Sequence, residues 1–176
     1  MLSTRQMALA ALMTAVLCIV APFSLPLPFS PVPISFATFI LYLDAYVLGS
    51  RLGTISCVLY LLLGFAGLPV FSGFSGGIGR LLGPTGGYMI GYVFLIFIGG
   101  FVIEISDGKK LYAALGLISG TIITYAFGTA WLASQMDLTF IQGLAAGVFP
   151  YLPGDAVKII AAMIIGPVLK SRLRHL

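Results

Sequence analysis

Six runs of apolar residues, each close to the length of a bilayer crossing and each broken from the next by proline, glycine or charge, constrain this chain more than any single motif. They fall at about 6 to 22, 34 to 50, 52 to 68, 85 to 105, 111 to 132 and 153 to 170. A helix rises about 1.5 Å per residue, so roughly 20 apolar residues cross a hydrocarbon core of ~30 Å. Lys, Arg, Asp and Glu together make up only 8% of the chain, and nearly all of them sit between or at the edges of the runs. A soluble domain carries about a quarter charged residues, so the expected fold is an all-α integral membrane protein. Six transmembrane helices in one compact bundle, spanning 1 to 176 as a single domain, use the whole length and leave no soluble domain over.

The breaks carry their own information. The first, Pro22 to Pro33, holds prolines at 22, 26, 28, 31 and 33 and reads as an extended connector. Gly67 to Gly87 is too apolar for a solvated loop and too glycine-rich for a lipid-facing helix. Irregular backbone of that kind is tolerated at membrane depth only under cover of protein or around a cavity. Asp137 to Tyr151 has room for a short helix. With the N-terminus cytoplasmic and Lys158, which lies inside the last run, left out of the count, the inner side carries Arg5, Arg51, Lys109, Lys110, Lys170, Arg172 and Arg174, and the outer side carries Arg80 alone. That bias fits an even number of spans with both termini inside. A signal peptide over the first run is disfavoured, because no small-residue cleavage site precedes Pro22 and its removal would spoil the charge pattern. The basic residues lie singly at helix ends, which speaks for topology rather than nucleic acid. Cys18 and Cys57 lie within apolar runs without metal-ligand spacing, and no metal site is expected.

Asp155 and Lys158 break the pattern, standing at the outer head of the last run. Charge near lipid is costly unless it faces a protected cavity, and a spacing of three places both on one helix face. The alternatives are a structural ion pair or a lysine that snorkels to the interface.

Three stretches carry a resemblance: Pro31-Val32-Pro33-Ile34, Gly83-Pro84-Thr85-Gly86-Gly87-Tyr88, and Pro153-Gly154-Asp155-Ala156-Val157-Lys158. With Arg51-Leu52-Gly53 and Leu61 to Phe71, in this order, they resemble the BioY family, the biotin-binding S components of energy-coupling-factor (ECF) vitamin transporters. The resemblance implies an S-component-like bundle in a prokaryotic cell membrane that captures biotin from outside. It also implies uptake driven by a transmembrane T component and two ABC-type ATPases, with ATP used only by those partners. No cofactor is expected, and homo-oligomerisation is left open.

Biotin offers ureido N–H donors, an apolar ring system and a carboxylate. Asp155 as an acceptor suits the N–H groups, and Lys158 either holds that carboxylate charged or donates to the ligand. Arg80 is a candidate for the ligand carboxylate, the alternative being a solvated loop charge. The turn at Gly86 lets backbone approach a ligand, or serves tight helix packing. Tyr88 either hydrogen-bonds in the cavity or sits in the interfacial aromatic belt. Phe74, Tyr151 and Tyr125 are candidate apolar walls. Ala11 and Ala15 share a face of the first helix, and in S components an AxxxA face there docks the T component; packing within the chain is the alternative.

Asp44, toward the inner end of the second run, raises rivals. Two intramembrane aspartates suggest an aspartyl protease. Here, however, Leu152-Pro153-Gly154-Asp155 lacks the first glycine of a GxGD motif, and Tyr42 stands two residues before Asp44. A stand-alone secondary transporter or channel finds neither an inverted repeat nor a chain of intramembrane charges to support it.

Overall fold

The computed structural model describes residues 3–28 and 30–174. Helix α1 (Thr4–Val20) opens on a capping box in which the Ser3 hydroxyl takes the Gln6 N–H and the Gln6 side chain answers the Ser3 N–H. Strands β1 (Ser24–Leu27) and β2 (Ser30–Ser35) follow, then α2 (Ala37–Val47), α3 (Gly49–Phe65), the short α4 (Ile78–Leu82), α5 (Gly86–Ile105), α6 (Lys110–Gln135), the short α7 (Phe140–Gly147) and α8 (Leu152–Arg174).

The six expected spans therefore appear as six apolar helices in the expected order, with two differences. The proline-rich connector is a folded antiparallel hairpin. Its ladder pairs Ser24 with Ser35, Leu25 with Ile34 and Leu27 with Ser30, so Pro26, Pro31 and Pro33 occupy none of the paired positions. A two-stranded ribbon accepts proline where no ladder N–H is required. The hairpin also takes residues 34 and 35 from the second expected span, leaving α2 only 11 residues long. At about 1.5 Å per residue α2 falls well short of a ~30 Å core. Among the described residues, α5, α6 and α8 are the helices long and apolar enough to cross a membrane, with α1, α2 and α3 shorter apolar companions.

Close helix approach builds the centre. A Cβ placed on Gly120 of α6 would lie 2.8 Å from the Leu95 carbonyl oxygen of α5, and one on Gly91 would lie 2.8 Å from the Thr124 methyl. Small residues bring the two backbones together where lipid offers no hydrophobic drive between helices. Side chains such as Leu17, Leu41, Tyr42, Leu95 and Leu117 are buried, while Ile19, Ile105, Ile122, Val157 and Ile164 are exposed. Apolar surface of that extent on the outside of a bundle is lipid-facing surface.

The loops divide by end. The Gly73 N–H donates to the Pro22 carbonyl (2.9 Å), the Trp131 indole donates to the Gly83 carbonyl (3.0 Å) and the Tyr151 hydroxyl donates to the Val32 carbonyl, so hairpin, glycine-rich segment and head of α8 meet at one end. At the other end Arg5 of α1 donates to the Leu173 carbonyl of α8 (2.6 Å).

Candidate functional site

Asp155 lies in the first turn of α8, where unpaired backbone N–H groups favour a negative charge. It is 6% exposed. Lys158 turns inward rather than snorkelling, and its ammonium donates to Asp155 Oδ1 (2.9 Å), to the Ser35 carbonyl (2.7 Å) and to Thr38 Oγ1 (3.0 Å). Three donors thus meet three acceptors. Thr38 Oγ1 also donates to Asp155 Oδ1 (3.3 Å), and the Tyr125 phenol of α6 donates to Oδ2. Among the described residues this is the only ion pair.

The pair closes one side of a small chamber of about 50 Å³, with Tyr88, Tyr92, Tyr125 and Tyr151 as aromatic walls and Val32 and Pro33 of the hairpin as a cover. A second chamber of about 30 Å³ shares Val32, Pro33, Ser35, Tyr88 and Tyr92 with the first and adds Phe71, Ser72 and Arg80. Arg80 and the Asp155–Lys158 pair therefore stand at the two ends of one line of cavities.

The other expected residues take varied places. Tyr88 walls both chambers with its ring, while its hydroxyl pairs with Thr129 Oγ1 (3.2 Å). The Tyr151 hydroxyl donates to the Val32 carbonyl and lies 2.8 Å from Ser30 Oγ, whose own proton goes to the Ala146 carbonyl (2.7 Å); Tyr151 thus ties the hairpin to the head of α8. Gly86 lies behind the wall rather than on it: a Cβ there would meet the Leu81 carbonyl at 1.6 Å, so its lack of a side chain serves packing against α4. Phe74 is off the wall too. Its φ of 54° turns it outward, where it is 60% exposed and meets Phe23 edge-on at 5.3 Å. Ala11 and Ala15 are exposed on α1, while Ala10, Met13, Thr14 and Leu17 face inward, so the small-residue face is not used for packing within the chain.

Asp44 makes no contact with this site. It is fully buried, and Oδ2 accepts from Ser56 Oγ (3.2 Å), which in turn is linked to Thr14 Oγ1 (3.0 Å). Cytoplasmic water does not reach it, and its partners are none of those that hold Asp155.

Four residues of the site escaped the sequence reading or were given a lesser part: Ser35, Thr38, Tyr92 and, as a donor as well as a wall, Tyr125. Ser35 and Thr38 flank the start of α2. Their one signal is a polar pair spaced by three directly after Pro33. Tyr92 stands one turn beyond Tyr88 on α5, a spacing that places both rings on one face.

Fold and site together define a multi-pass membrane protein of the S-component architecture, with an ion pair at the wall of a small, mainly apolar chamber at one end of the bundle. The chain superposes with a TM-score of 0.89 on the crystal structure of an S component for biotin from an ECF-type ABC transporter, at 28% identity, over 97% of this chain and 95% of that one. Residues 1–175 match the BioY family model, and the chain belongs to that family. It is 37% identical to the biotin transporter BioY of Thermotoga maritima over 95% of this chain and 96% of that protein. It is also 37% identical to the probable biotin transporter BioY of Pyrococcus horikoshii, over 97% and 99% respectively.

Proposed function

We propose that this chain, acting as a single domain, is the biotin-binding S component of an ECF-type transporter. The observation that carries the reading is the buried Asp155–Lys158 pair, closed into a chamber in a chain of this family. Asp155 accepts the ureido N–H groups in charge-assisted bonds, displacing the Thr38 hydroxyl while the Tyr125 phenol stays on Oδ2 and aims the carboxylate. Lys158 keeps the carboxylate charged and aimed. The ring system lies against Tyr88, Tyr92 and Tyr151, and the aliphatic tail runs toward Arg80, whose planar fork suits a carboxylate.

Chambers of about 50 and 30 Å³ are far below the roughly 300 to 1,000 Å³ of a ligand pocket, so binding needs the cover to move. The hairpin is the part to move, since it is held at the chamber by Tyr151 and Lys158 through backbone carbonyls.

The positive-inside bias places both termini in the cytoplasm and the chamber outside. Capture as proposed calls for no cofactor, metal or covalent chemistry. ATP is turned over by two partner ATPases, and the T component docks on the exposed Ala11 and Ala15 face of α1. Equilibrium binding of biotin to the purified protein tests the function, and absence of saturable binding would sink it. Unchanged affinity in Asp155→Ala would leave the function standing and remove the site.

A further inference from the structure

The end of the bundle opposite the chamber holds an open cavity of about 570 Å³, enclosed by the start of α1, the corner between α2 and α3, the end of α5 and the last turns of α8. Its exposed polar residues are Ser3, Arg5, Gln6, Glu104 and Lys170, and its apolar lining includes Leu9, Val47 and Leu52. Arg5 spends one nitrogen on the Leu173 carbonyl (2.6 Å), which leaves most of its five N–H donors to spare. Lys170 makes no hydrogen bond or ion pair to the described residues. Glu104 also lines the cavity, but its oxygens accept the Ser50 N–H (3.1 Å) and hydroxyl (2.6 Å), which fixes it at the α2–α3 corner, and no ion pair joins it to either cation.

Two cations above an apolar lining complement an anionic amphiphile. We infer that this cavity binds an anionic phospholipid, with the headgroup phosphate on Arg5 and Lys170 and the first part of an acyl chain along Leu9, Val47 and Leu52. Basic pockets between helices at a membrane surface suit such headgroups. The apolar lining is what separates a lipid from free phosphate, which has nothing to place there. Glu104 opposes the anion by charge while holding the corner, so the cavity contains its own counterweight. The inference stands apart from the vitamin site and from the assigned orientation.

Native mass spectrometry of the purified protein in an equimolar mixture of phosphatidylglycerol and phosphatidylcholine tests it. Wild type is expected to retain phosphatidylglycerol preferentially. Arg5→Gln and Lys170→Gln should each cut that preference about fivefold, the worth of one cation near a membrane surface. Glu104→Gln should raise it, a change of sign that a purely structural carboxylate would not produce. Neutralising Lys109 and Lys110, which lie outside the cavity, should leave it unchanged. Should Arg5→Gln fail to fold for want of its bond to α8, Lys170→Gln carries the test. Equal losses in the Lys109 and Lys110 variant would reduce the effect to diffuse surface charge and overturn the site. So would displacement of the lipid by inorganic phosphate at matching concentration, or a Lys170→Gln variant that keeps its lipid preference and loses only assembly with the transporter's other subunits.

Discussion

Asp155 and Asp44 are both buried carboxylates in a chain that is otherwise sparing with charge, and their surroundings have little in common. Asp155 collects donors from three helices: Thr38 of α2, Tyr125 of α6 and Lys158 of its own α8. It also faces a cavity. Asp44 has one donor, Ser56 Oγ, while its Oδ1 has no partner and no described cavity reaches it. Burial of an acid therefore does not by itself favour a ligand site. What favours the proposed site at Asp155 is a set of convergent donors beside a cavity. Asp44, by contrast, carries the cost of a buried polar atom without the use of it.

The sharpest way to break this contrast is to remove each carboxylate in turn and measure biotin affinity. Asp155→Ala leaves Lys158 as an uncompensated charge and removes the proposed acceptor for the ureido group. Two charge-assisted bonds to the ureido group, each worth about 1.5 to 3 kcal/mol, go with it, so affinity should fall at least about 100-fold by calorimetry. Asp44→Asn, at the same test, should bind within a factor of about two of wild type. A large loss in the second variant would show that the two acids are coupled after all.

Smaller changes sharpen the account of Asp155 itself. Tyr125→Phe removes one charge-assisted bond, worth about 1.5 to 3 kcal/mol, and should weaken biotin about 20-fold if the phenol aims the carboxylate. Tighter binding in this variant would show instead that the phenol competes with the ligand. At the far end of the cavities, Arg80→Gln should cost about fivefold, with most of that loss disappearing at high salt, since a half-exposed cation acts largely through a screened field. A salt-independent loss would place the guanidinium in a desolvated bond with the ligand.

Most of the bundle was legible in the sequence because lipid leaves few options: apolar runs must be helical, and positive charge sorts their ends. Asp155 and Lys158 were legible for the same reason, as residues too costly to stand there idly. Thr38 and the donor role of Tyr125 were not, since a lone hydroxyl or phenol in an apolar run is common, and only folding brings the first turn of α2 and the middle of α6 to the head of α8. The hairpin was missed because proline density announces an extended chain, while strand pairing depends on which N–H groups remain to be paired. Phe74 and Gly86 lie off the chamber for a local reason. Within a glycine-rich segment the direction of a side chain follows from single φ angles and close contacts, such as Phe74 at φ 54° and Gly86 against the Leu81 carbonyl, which composition does not specify.

The smallest effect expected on binding is the one that best separates the two regions. Asp44→Leu replaces a buried acid, whose Oδ1 has no partner, by an apolar group of similar size. The Ser56 hydroxyl loses its acceptor, but its proton can turn to Thr14 Oγ1 (3.0 Å), whose own proton has the Ala10 carbonyl (2.8 Å), so only one weak bond is given up. Relief of an unsatisfied polar atom is worth about 1 to 3 kcal/mol, which leaves a net gain of about 1 kcal/mol once that bond is subtracted. For a chain of this length that is a rise of about 2 to 4 °C in Tm, with biotin affinity unchanged. Asp155→Leu should move the other way on both scales, because it strips three donors of their common acceptor. A lower Tm in Asp44→Leu would mean that the free Oδ1 is matched in the membrane by a partner such as a bound water, and that Asp44, like Asp155, is held by more than one donor.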